Sequence, residues 1–143
     1  MTLTEFETFF LTFPTDIPEI AQVLIGDEEE LLNLQNSRVK YPVMGVGTPQ
    51  PAFLYEPAAT VFEFPFVFLM NVSRDTPEAA RAARNDTLII AQKAWARLEA
   101  GEAEGLYEFQ RNRDEGDAIM KYTGDNDTGW RFTARLKVGR DDC

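Results

Sequence analysis

From Trp130 to Val138, apolar and polar residues alternate without a break: Trp130, Phe132, Ala134, Leu136 and Val138 against Arg131, Thr133, Arg135 and Lys137. A β-strand is the regular structure that sends alternate side chains to opposite faces. The segment is therefore expected in a sheet, with one face on a core and a basic face turned to water or to a partner. Phe64 to Val72 is apolar at nearly every position. It reads as a central strand covered on both faces, with Pro65 at its start because proline donates no hydrogen bond to a ladder.

The stretch between these strands has helix signals. Thr76-Pro77-Glu78 offers an N-cap hydroxyl, a proline at the first helical position and an acid where the helix dipole favours one. Ala80, Ala83, Thr87, Leu88, Ala91, Ala94, Trp95 and Leu98 then follow three-four spacing, which predicts a helix to about Ala100 capped by Gly101. Small residues on that stripe let a helix approach a sheet closely, and Trp95 fills its wider end.

The N-terminal region reads as helical. Phe6, Phe9, Phe10 and Phe13 make an apolar helical stripe that Pro14 is expected to stop, with a short strand as the alternative, and Asp16 to Gly26 reads as a second helical turn sequence. Asp27 with Glu30 resembles a helix start, with Glu28, Glu29 and Glu30 in the first turn. From Arg38 to Val46, Val39, Tyr41, Val43 and Val46 suggest a strand broken by Pro42 and ended by Gly45-Val46-Gly47, and Pro49 and Pro51 mark an irregular stretch. Beyond the helix, Leu106 to Asn112 and Ala118 to Thr123 read as strands that complete a meander with the last one. Together these elements predict one α+β domain over residues 1–143. It is a mixed, mostly antiparallel sheet of about five strands packed against one long helix, with a helical N-terminal region.

Composition narrows the function. The 143 residues carry a formal charge of -10, a field that repels phosphate backbones and favours basic partners, so specific nucleic-acid binding is not expected. The chain has no His, which removes the commonest general base and zinc ligand, and its single Cys is the terminal Cys143. The N-terminus has acids where an export signal needs basic residues, and the longest apolar run is too short to span a bilayer.

The acidic motifs fit structural roles. Asp125-Asn-Asp127-Thr-Gly129 has alternate carboxylates before a glycine, but the glycine comes one position early for a helix-loop-helix calcium site, and Leu136 stands where a bidentate glutamate belongs. It reads as a turn. Gly45-Val-Gly47 lacks the third glycine of a dinucleotide loop. Glu104, Glu108, Asp114, Glu115 and Asp117 cluster in expected turns rather than in a buried acid-base pair. No catalysis, metal or cofactor is expected.

The element order, the segment Val39-Lys-Tyr41-Pro42-Val-Met, the proline-rich stretch, the Thr76-Pro77 helix and the Asp127-Thr-Gly129-Trp130 opening of the last strand resemble the small neck and tail-completion proteins of tailed phages and prophages, tail terminators above all. The resemblance implies a helix against a mixed sheet, assembly into a ring that joins tail to head, contacts with other virion neck or tail-tube proteins, and no enzymatic activity. It implies a place in the virion or the host cytoplasm, without secretion by a signal peptide. Residues 47–60 would then be an extended arm or loop reaching a neighbouring subunit, with Phe53, Leu54 and Tyr55 as anchors. Arg131, Arg135 and Lys137 would meet Glu28, Glu29 and Glu30 of a neighbour. The alternative is a small cytoplasmic adaptor or ligand-binding α+β domain, with an aromatic pocket near Phe62, Phe64, Phe66 and Phe68.

Overall fold

The two apolar strands form the axis of the molecule: β4 (Ala58–Asn71) and β7 (Asp127–Gly139) pair antiparallel from Ala59↔Gly139 to Asn71↔Asp127. The computed structural model describes residues 1–27, 39–55, 58–72, 76–110, 117–120 and 127–139, with the backbone alone at 117–120 and 127. The other strands among these residues are β1 (Gln22–Gly26), β2 (Val43–Gly47), β3 (Gln50–Tyr55), β5 (Glu108–Phe109) and β6 (Asp117–Met120). The helices are α1 (Leu3–Leu11), α2 (Phe13–Asp16) and α3 (Pro77–Ala103). This is the expected α+β class.

The seven strand segments occupy five lateral positions in one sheet. β2 and β3 both run antiparallel to β4 on the same side, and β1 lies outside β2 in parallel pairing. The β2 register ends at Val46↔Phe66 and the β3 register begins at Gln50↔Glu63, so three residues face Pro65 and Phe64. β2 and β3 are thus one strand with a bulge opposite Pro65. Pro65 lies in the middle of β4 rather than at the expected strand start, and the bulge opens the ladder where it sits. Gly47 is required there, because a Cβ at that position would stand 2.1 Å from Pro65 Cγ.

On the far side of β7, β5 and β6 pair with different parts of the same strand, and Gln110 N–H continues the β5 ladder by donating to Arg135 O at 3.0 Å. They are two pieces of one interrupted strand, not the successive strands of a meander. Residues 111–116, expected to span the end of one strand and the turn, lie outside the described residues.

Several local expectations change. Pro14 does not stop a helix; it occupies the first turn of α2, where its missing N–H costs nothing. The segment expected as a second helical turn is strand β1, since Val23 and Ile25 suit a pleated surface and pairing with β2 satisfies the backbone. Gly45 and Gly47 lie inside β2, which begins after a cis Tyr41-Pro42 bond. The Thr76 hydroxyl accepts from Ala79 N–H at 3.2 Å, as an N-cap should. The helix continues through Gly101 to Ala103, and Gly105, with φ +83°, is the residue that turns the chain.

One face of the sheet holds the main core. Phe62, Phe64, Phe66 and Phe68 of β4 and Ala134 and Leu136 of β7 meet Phe6, Phe10 and Phe13 from the N-terminal helices and Ile90, Ala91, Ala94 and Leu98 from α3. The four β4 phenylalanines are 7% exposed or less, so the aromatic pocket of the adaptor alternative is filled core. Phe64 packs edge-on against Phe6 at 4.9 Å and Phe10 at 5.2 Å between ring centres. On the opposite face, Val43, Val67 and Leu69 form a smaller cluster with Leu24, Val39 and Tyr41. Both sides of β4 from Phe66 to Leu69 are therefore covered, as its sequence predicts.

Helix α3 is joined to β7 by polar contacts too. Trp130 Nε1 donates to Arg84 O at 2.9 Å, and Arg84 Nε donates to Thr128 Oγ1 at 3.3 Å. Among the described residues, no helix is long and apolar enough to cross a membrane.

Candidate subunit interface

The basic face of β7 is real but locally neutralised. Arg131, Thr133, Arg135 and Lys137 share the sheet face opposite the main core, beside Glu63 of β4, because β7 alternates strictly. Arg135 Nε donates to Glu63 Oε2 at 2.7 Å, and these two residues are directly opposite in the register. Lys137 Nζ lies 3.7 Å from Glu108 Oε2, again a register pair. Such exposed cross-strand pairs contribute a few tenths of a kcal/mol to about 1 kcal/mol each. The charges expected to meet a neighbour thus already have partners within the chain. Glu28, Glu29 and Glu30, the expected counterparts, lie outside the described residues. Beside this face a cleft of about 260 Å³ is lined by Asp27, Thr48, Gln50, Glu63, Pro65, Arg131 and Thr133.

The stretch 47–60 is neither loop nor irregular coil over most of its length. β3 pairs with the start of β4 from Gln50↔Glu63 to Tyr55↔Ala58, which makes a hairpin joined by residues 56 and 57. Every residue of β3 is exposed, including Phe53 at 59%, Leu54 at 38% and Tyr55 at 79%. Pro51 is tolerated because β3 pairs on one side alone among the described residues. The hairpin signal was present in the sequence: two apolar segments separated by two residues, with the proline read as a breaker instead of an edge-strand residue.

Two further features were not read from the sequence. A groove of about 390 Å³ runs between α3 and β7, lined by Ala91, Gln92, Trp95, Glu99 and Phe132. Trp95 is held there by Phe109 at 5.1 Å and Phe132 at 5.2 Å between ring centres. Arg97 reaches back from α3 over the rings of Phe9, at 5.0 Å, and Phe13, at 5.9 Å, and its Nε donates to Asp16 Oδ2 at 3.0 Å. Helical periodicity shows which face of α3 is apolar but not that a cation at its margin closes over two N-terminal rings.

Chemically, the surface combines a paired, largely neutralised basic strip with an uncharged strand that exposes three large apolar side chains. Phe53 and Tyr55 share one face of β3 and Leu54 the other, and exposed apolar side chains grouped on one strand in this way are a common feature of association surfaces. Comparison with protein-family models found no match, and comparison with curated proteins found none either.

Proposed function

We propose that this chain is a structural subunit of a ring at the tail or neck of a phage-type particle, which acts by self-association and by contact with other neck or tail-tube proteins and has no catalytic role. The observation that supports this reading is the β3 strand: Phe53, Leu54 and Tyr55 are exposed at the end of a hairpin, on a strand without a charge, in a chain of net charge -10. An uncharged apolar strand is where two copies of a strongly acidic protein can meet with least repulsion. The acidity has a use in this setting, because a ring through which nucleic acid passes should not hold it. Its place is the virion and the host cytoplasm in which the particle assembles.

The test is absolute molar mass by light scattering over a concentration series, with wild-type protein and a Phe53→Ser/Tyr55→Ser variant. The reading expects a discrete multi-subunit species that the double variant loses while its circular dichroism is unchanged. A wild-type protein that remains a monomer at every concentration refutes self-assembly and returns the adaptor alternative to first place.

A further inference from the structure

We draw no further inference here: the strongest candidate, the apolar groove of about 390 Å³ between α3 and β7 lined by Ala91, Trp95 and Phe132, carries nothing because nothing among the described residues shows what covers it.

Discussion

Gly101→Ala should destabilise this protein, although the same change in an ordinary helix stabilises it. Ala exceeds Gly in helix propensity by about 0.8–1 kcal/mol, and Gly101 lies within α3. Gly101 is buried, however, and a Cβ there would stand 2.2 Å from Tyr107 Oη, 2.6 Å from Cζ and 2.9 Å from Cε1. No atom pair tolerates these distances, so the Tyr107 ring must move. The Tyr107 hydroxyl donates to Leu98 O at 2.7 Å inside the structure, and losing that bond costs about 1 kcal/mol. Forcing an extra carbon into a packed site costs about 1–3 kcal/mol more. Subtracting the propensity gain leaves a net loss of about 1–3 kcal/mol, or a melting temperature lower by about 3–10 °C for a chain of this size. Thermal and urea unfolding followed by circular dichroism measure it. In a Tyr107→Ala background the obstruction is gone, and Gly101→Ala should then be neutral or stabilising by up to about 1 kcal/mol. Stabilisation in the wild-type background, or the same effect in both backgrounds, would refute the reasoning.

Gly129→Ala should be more damaging, because its Cβ would lie 1.8 Å from the main-chain oxygen of Phe68, and a central strand cannot step aside as a side chain can; a loss of about 3 kcal/mol or more is expected in urea unfolding. Arg97 Nη1 is buried without a hydrogen-bond partner among the described residues, so Arg97→Met, which keeps the stem packed on Phe9 and Phe13, should change stability by less than about 1 kcal/mol. Asp16→Ala, which removes the guanidinium's carboxylate, should cost more than Arg97→Met; the reverse order in paired melts would disprove the account. Burial raises the Tyr107 phenol above its ordinary value of 10.0, so the folded state resists its ionisation. That contribution is fully present below pH 10 and is lost as pH rises toward the folded value. Tyr107→Phe removes the hydroxyl's bond to Leu98 O and so should lower stability at pH 7, and with no phenol to ionise it should flatten the decline above pH 10 in a pH series of melts.

The elements most legible in the sequence are those whose signals act over a few residues. The β7 alternation, the two-sided apolar run of β4 and the Thr76-Pro77 start of α3 depend on side-chain direction, backbone sterics and one local hydrogen bond, and all three stand in the structure. The same local signals were ambiguous where two periods fit one segment. Ile20, Val23 and Leu24 are spaced for a helix as well as for a strand, and parallel pairing with β2 decides for the strand. Pro14, Pro51 and Pro65 each mark a missing donor, but whether that donor falls in a first helical turn, on an edge strand or opposite a bulge depends on neighbours distant in the chain. Gly101 and Gly105 are both plausible helix stops. Packing of Tyr107 against the first keeps it helical and leaves the second to take the positive φ.

For the surface, the sequence alone determined which residue types share the β7 face and that Phe53, Leu54 and Tyr55 form an apolar group, because both follow from order and period. Only the tertiary structure decided that Arg135 faces Glu63 from 72 residues away, that the β4 phenylalanines are core rather than pocket, and that Trp95 and Phe132 form a groove. Those outcomes are set by strand register and by the seating of α3 on the sheet, and register is a property of whole strands in contact, which no window of neighbouring residues contains.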